Sequence, residues 1–313
     1  MSTLSEYICQ LSTEEKAYLA ANLNETDETR PIKIAEIRQW IIENDNLHAP
    51  TDDFFVLRFL RACKFNVEKT KSKLQNYYKQ RTNLPEWYSN RNPFLSELQE
   101  LFDLGVLLPL RKLDNEGRMI VIIRAAVHSP RKHKMTDMLK AALMILDLVL
   151  RDHEFVTIYG ITAILDIGGI TYEHVLQLPP NVIKNLVHAW QGCYPVRIYS
   201  LNFINAHKFI NVVLNIFRSF MTKKLRQRVH VHARGKLKLY ETLPMDILPK
   251  EYGGMDGTVK ELSGKVFVSY GACMWVNKTN VNYVILIMLQ SIGNVRLKRI
   301  ESGSPRKKNT NCR

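Results

Sequence analysis

Nothing in this chain is apolar over a long enough stretch to cross a bilayer as a helix. The longest apolar run, Val281 to Leu289, is interrupted by Asn282 and falls well short of the roughly 20 residues a span requires. The opening stretch from Met1 to Lys16 mixes polar and acidic residues and has no apolar centre of the secretory kind. The 5 cysteines (Cys9, Cys63, Cys193, Cys273 and Cys312) are odd in number, scattered, and form no Cys-x-x-Cys pair. That usage fits a reducing, intracellular setting, and the expected location is cytoplasmic. There is no P-loop, no Gly-x-Ser-x-Gly elbow and no His-Glu-x-x-His, so the expectation is no enzyme and no cofactor. His230 and His232 share one strand face but have no third ligand nearby, so no metal is expected. His128 and His133 stand among basic residues, where hydrogen bonding or solvent is the default.

Negative charge is also short. Thirty Asp and Glu face 44 Lys and Arg, a formal net charge of +14. That excess favours an anionic partner, whether a phospholipid surface, a nucleic acid or a phosphorylated ligand. The cations are not interleaved with aromatics in the manner of single-strand binders, and no helix-turn-helix or zinc-finger spacing appears. Nucleic acid is therefore not the expected partner, and no obligatory protein partner is inferred.

What the chain does have is concentrated between Asn205 and Tyr240, where no acidic residue occurs. Phe209, Ile210, Val212, Val213, Leu214, Ile216, Phe217 and Phe220 make a segment oily on nearly every face. Lys223, Lys224, Arg226, Arg228, Arg234, Lys236 and Lys238 follow at once. An all-round apolar helix needs a buried environment, a membrane or a ligand, and adjacent cations suit an anionic surface. A lid over an apolar cavity that opens at an acidic membrane satisfies both demands. A core helix beside a solvated basic segment satisfies them as well.

The remainder divides by period. The first ninety residues read as helices. Ser12 and Glu15 form a capping box, and Pro31 leads the apolar face Ile34, Ile37, Trp40 and Ile41. Thr51 is the expected cap of a third helix and Asn66 of a fourth. Beyond the Pro85 to Pro93 joint, strands at Met119–Ala126, Gly160–Ile167, Val196–Ile204 and Arg228–His232 alternate with helices at Thr136–Asp152 and from Pro180 to about Trp190. Alternation of this kind implies crossovers and a largely parallel sheet.

Four ordered motifs carry a family resemblance. Phe55-Val56-Leu57-Arg58-Phe59-Leu60-Arg61-Ala62 with Lys64-Phe65, Ile164-Leu165-Asp166-Ile167-Gly168-Gly169, Tyr194-Pro195-Val196-Arg197 with Leu201-Asn202-Phe203-Ile204-Asn205, and Leu248-Pro249-Lys250-Glu251-Tyr252-Gly253-Gly254 resemble the signatures of the CRAL-TRIO family. The likeness is greatest to its tocopherol-transfer, retinaldehyde-binding and clavesin branch. It implies an α/β lipid-binding cage, a mostly parallel sheet flanked by helices with a mobile lid helix, preceded by a small all-helical domain. The implied boundaries are 1–90 for the helical unit, 91–256 for the cage and 257–313 for a divergent, poorly ordered tail.

By the same resemblance the lid maps onto His207 to Phe220. Phe155, Ile164, Ile183, Leu186, Val187, Phe203, Phe209, Val213, Phe217 and Phe220 become candidates for the pocket wall and lid. Lys64, Arg197, Lys224 and Arg228 become candidates for binding phosphatidylinositol bisphosphate. Cys63 and Tyr199 stand where the family has further basic residues. Ala142 and Leu146 replace serines that meet the tocopherol hydroxyl through water. The implied function is to carry a hydrophobic small molecule, such as a tocopherol, retinoid or related lipid, between membranes, with transient docking on anionic surfaces. The alternative is a non-transporting phosphoinositide-binding or scaffold protein with a vestigial cavity.

Overall fold

The protein is described here by a computed structural model covering residues 7–206, 211–233 and 243–263. Phe209, the basic residues Arg234, Lys236 and Lys238, and the tail beyond residue 263 lie outside the described residues.

Local chemistry sets the helical N-terminal part. Helix α1 (Thr13–Leu23) starts at the expected capping box, with the Glu15 amide donating to Ser12 Oγ at 3.2 Å and the Ser12 amide to Glu15 Oε2 at 2.8 Å. Helix α2 (Thr29–Glu43) buries Ile34, Ile37 and Ile41. Helix α3 (Asp53–Ala62) is capped by Asp52, one residue later than expected. Its carboxylate lies three positions before Phe55 and accepts that amide at 2.8 Å. Thr51 serves through its carbonyl instead, accepting from Arg38 Nε at 3.1 Å. Helix α4 (Val67–Asn83) has the expected Asn66 cap, and α5 (Pro85–Tyr88) and α6 (Ser96–Asp103) lead into the sheet.

Strands β1 (Leu107–Leu113) and β2 (Met119–Arg124) form an antiparallel hairpin. The sequence reading missed β1, because Pro109 interrupts its pattern. The strand lies at the sheet edge, where the absent amide is tolerated. Helices α7 (Met135–Asp152) and α8 (Glu154–Tyr159) connect β2 to β3 (Ile161–Asp166). Helices α9 (Tyr172–Leu176) and α10 (Pro180–His188), the latter running into a π-helical turn at Ala189–Cys193, connect β3 to β4 (Ile198–Ala206). Helices α11 (Asn211–Phe220) and α12 (Lys223–Arg226) precede β5 (Val229–Ala233).

The sheet order is β1-β2-β3-β4-β5, with β2 to β5 parallel, as the alternation implied. Strand order that follows chain order, with crossovers of one hand, sends every connecting helix to the same face. That face forms one core continuous with the N-terminal helices, from Ile34 to Leu225. The other face is closed by the segment after β5. There Leu243, Ile247, Leu248, Tyr252, Val259 and Leu262 cover Ile120, Ile122, Ile164 and Ile204. Residues 257–263 therefore belong to the folded body, contrary to the expected loose tail: Val259 and Leu262 are buried.

A buried ion network ties the helical part to the cage. Arg61 is wholly buried, donates to Glu25 at 2.7 and 2.9 Å, and reaches Glu154 on α8 at 2.7 Å and Thr157 at 3.0 Å. Near it, Gly160 has φ +88°, and a Cβ there would sit 2.4 Å from the Arg197 carbonyl. Only glycine lets β3 begin so close to the chain entering β4.

Candidate functional site

Two hollows meet behind the sheet. The first is an apolar cavity of about 110 Å³. Its floor is the helix-facing side of the strands, including Val121, Ala163, Leu165, Leu201 and Phe203. Leu139, Ala142, Leu143 and Leu146 of α7 form one wall, and Val213, Leu214 and Phe217 of α11 form the cover. The Phe217 ring stacks on Trp190 with centroids 6.1 Å apart and meets Phe203 edge-on at 6.3 Å. Among the lining residues only His174 and Trp190 carry a side-chain nitrogen.

Four of the sequence candidates line this cavity: Leu186, Phe203, Val213 and Phe217. Ile164 does not. Strand side chains alternate, so with Ala163 and Leu165 facing the cavity, Ile164 faces the opposite core. Ile183 and Val187 are buried on a neighbouring face of α10, about 100° round from Leu186 per residue step, and pack in the core without reaching the cavity. Phe155 and Phe220 are partly buried against the same core and also lie off the wall. Phe209 lies outside the described residues.

Helix α11 is also less uniformly apolar than its sequence suggested. It buries Val213, Leu214 and Phe217 and turns Asn211, Val212, Asn215 and Ser219 outward, so Val212 is the exposed apolar residue on its outer face. Its C-terminal end is pinned. The Gln191 side chain donates to the Phe220 carbonyl at 3.0 Å and accepts from the Thr222 amide at 3.0 Å. Trp190 and Gln191 were missed as functional residues because only the end of a helix was legible there. The π-helical turn that aims both side chains has no pattern in the sequence.

The second hollow is a basic cleft of about 940 Å³. It brings together all four cations selected from the sequence, Lys64, Arg197, Lys224 and Arg228, from α3's C-terminal turn, the entry to β4, α12 and the entry to β5. Lys69 and Lys73 of α4 join them, and Glu68 is the one acidic residue in the lining. Burial lowers the Lys224 ammonium from its ordinary value, and the like charges of Arg228, Lys64, Lys69 and Arg197 lower it further. Burial likewise lowers Lys73, which donates to the carbonyls of Gln191 at 3.1 Å and Tyr194 at 3.3 Å. Burial lowers Arg197 too, whose guanidinium bonds the Ile158 carbonyl; Arg228 bonds the Ile198 carbonyl. This concentration of like charge is costly unless an anion offsets it.

Trp190, Val196 and Ile198 line both hollows, so cleft and cavity share a wall. Among the described residues no group of His, Cys, Asp and Glu is placed to hold a metal ion, and His232 instead lies 3.3 Å from Asn202 Oδ1. Nor, among those residues, is any helix long and apolar enough to cross a membrane.

Comparison with known proteins adds to this geometry. Residues 105–254 match the CRAL/TRIO domain, and residues 26–98 match the Pinta-like UBA domain. The chain is 29% identical to the human alpha-tocopherol transfer protein-like protein over 252 residues, spanning 80% of this chain and 73% of that one. It is 29% identical to mouse clavesin-2 over 244 residues, 78% of this chain and 74% of the other. In three dimensions it is similar to the crystal structure of Sfh5, with a TM-score of 0.51 and 16% identity over 81% of this chain and 92% of that one, a likeness of fold. The sheet and its helix-lined face agree with these matches: over residues 105–254 the chain is similar to the CRAL/TRIO domain.

Proposed function

We propose that the protein binds a hydrophobic small molecule in the apolar cavity and moves it between membranes, docking through a phosphoinositide headgroup held in the basic cleft. The observation that carries this reading is the meeting of Lys64, Arg197, Lys224 and Arg228 in one cleft that shares a wall with a cavity covered by α11. Relatives named for tocopherol transfer support the carrier half. The protein acts as a carrier without a catalytic step, working in the cytoplasm and resting transiently on anionic membranes.

The cavity sets terms for the ligand. Small-molecule sites commonly span about 300–1,000 Å³. At about 110 Å³, this one admits a tocopherol- or retinoid-sized molecule only when α11 or α7 moves outward. Ala142 and Leu146 both face the cavity, so a ligand hydroxyl at that wall would go unpaired. The ligand class is thus one whose polar group lies away from α7. The small volume also favours a second reading, a phosphoinositide-binding scaffold whose cavity is vestigial.

The test is native mass spectrometry of the purified protein, with organic extraction of whatever accompanies it. A stoichiometric retinoid, tocopherol-like or other lipid mass is expected. A protein that carries nothing and refuses a panel of such ligands, yet still binds phosphoinositide vesicles, would overturn the carrier reading in favour of the scaffold.

A further inference from the structure

Three histidines meet where the loop after β2 packs on α9. His128 and His133 come from the loop and His174 from α9, and all three are buried, His128 to 2% exposure. The His128 ring lies edge-on to His174 at 4.9 Å and 6.4 Å from His133. His174 is also the histidine in the wall of the apolar cavity.

The contacts of His174 specify its tautomer. Nδ1 accepts from the Thr171 amide at 3.2 Å and lies 2.8 Å from Thr171 Oγ1, so the proton sits on Nε2 and is donated to the His128 carbonyl at 3.1 Å. Gln177 adds a second strut, donating to the carbonyls of Pro130 at 2.7 Å and His133 at 3.3 Å. The Arg131–Glu173 pair at 2.8 Å joins loop to α9 outside, and Glu100 of α6 holds Lys132 at 2.5 Å and His133 Nε2 at 3.2 Å. Of these struts, the bond from the Thr171 amide requires an unprotonated His174 Nδ1. Both ring nitrogens of His128 and the Gln177 Oε1 find no hydrogen-bond partner among the described residues.

We propose that His128, His133 and His174 form an acid-sensitive latch at this end of the cavity, closed while His128 is neutral and opened when it gains a proton. A charged His128 would be buried between two other imidazoles with no carboxylate facing it; Glu100 faces His133, and Glu173 faces Arg131. Gln177 alone favours the charged form. Burial, then His174, then His133 bring the His128 pKa from 6.5 down to about 4. The sign follows. Between those two values the opened state binds more protons than the closed one, so the latch is fully stable above pH 6.5 and weakens as pH falls toward 4. At pH 5 the closed form is disfavoured about 30-fold relative to pH 7.5.

The test needs no ligand, so its failure is distinguishable from failure of the carrier reading. Amide exchange protection in residues 125–134 and 172–177 should fall about 30-fold more than that of β3 between pH 7.5 and 5. In His128→Gln and His128→Phe that excess should vanish. A carbon-detected NMR titration of the wild-type histidines serves independently of any variant and should find His128 still neutral at pH 5.5. Protection in the seam that tracks β3 at both pH values, variants that keep the excess, or a wild-type His128 titrating near 6.5 would each overturn the latch.

Discussion

Replacing Lys64 and Lys224 together by Gln isolates the charge of the basic cleft from its architecture. Arg197, Arg228 and Lys73 each hold a backbone carbonyl, so removing them disturbs the fold as well as the field. Lys64 and Lys224 are exposed, and among the described residues neither ammonium is drawn into a hydrogen bond or ion pair. Each cation near an anionic surface contributes about 1 kcal/mol. Losing two should therefore weaken binding to phosphoinositide vesicles by roughly 30-fold at 0.1 M salt. Thermal stability should hold or rise slightly, because the pair's mutual repulsion with Arg228 and Lys69 is relieved. Co-sedimentation over a range of vesicle concentrations measures the affinity. Lys79→Gln with Lys184→Gln is the control, two exposed cations outside the cleft. If the control loses as much affinity as the cleft pair, or the cleft pair loses less than about 3-fold, binding follows net charge and the cleft is not the headgroup site.

Other perturbations address separate joints. Arg61→Met leaves Glu25 charged and buried with Arg30 as its remaining partner, and should lower stability by about 3–5 kcal/mol in urea unfolding, with Glu25→Leu restoring part of it. A loss below 1 kcal/mol would mean that the network contributes little. Phe217→Asp sets a carboxylate between Trp190 and Phe203, so co-purifying ligand and the amide protection of α11 should both drop; an unchanged pair of readouts removes α11 from the role of cover. Gln191→Leu deletes two hydrogen bonds of about 1 kcal/mol each, so exchange at residues 218–222 should quicken by at least tenfold, and equal rates would show that α11 is not held there.

The sequence was legible where one local signal governs one element. Ser12 with Glu15, Asn66, and the alternation from Met119 onward each placed an element that the structure contains. The four cations chosen by resemblance lie far apart along the chain and meet in one cleft only through the fold. What stayed hidden depends on direction. In a short run such as Ile161–Asp166 apolar residues fall on both faces, so the run does not say whether Ile164 or its neighbours Ala163 and Leu165 meet the cavity. The facing of α11 was misjudged for a related reason, since its asparagines and serine fall on one side only once the helix register is known. Trp190 owes its position to a π-helical turn, and the histidine cluster to a crossover that brings residue 174 beside residue 128.

Because every strand pairs with its neighbour in sequence, the sheet can grow in the order in which the chain is synthesised. β1 and β2 close as a hairpin, and each later strand adds to an edge already present. The far face follows a different timetable. Ile120, Ile122 and Ile164 are in place early, yet their cover from Leu243 to Leu262 emerges last. It is secured by contacts that span most of the cage, Arg111 to Asp256 at 2.8 Å and Tyr252 to Asp166 at 2.8 Å. Until then the nascent chain carries a greasy flank open to water, so truncation before Leu243 should leave Ile120, Ile122 and Ile164 uncovered.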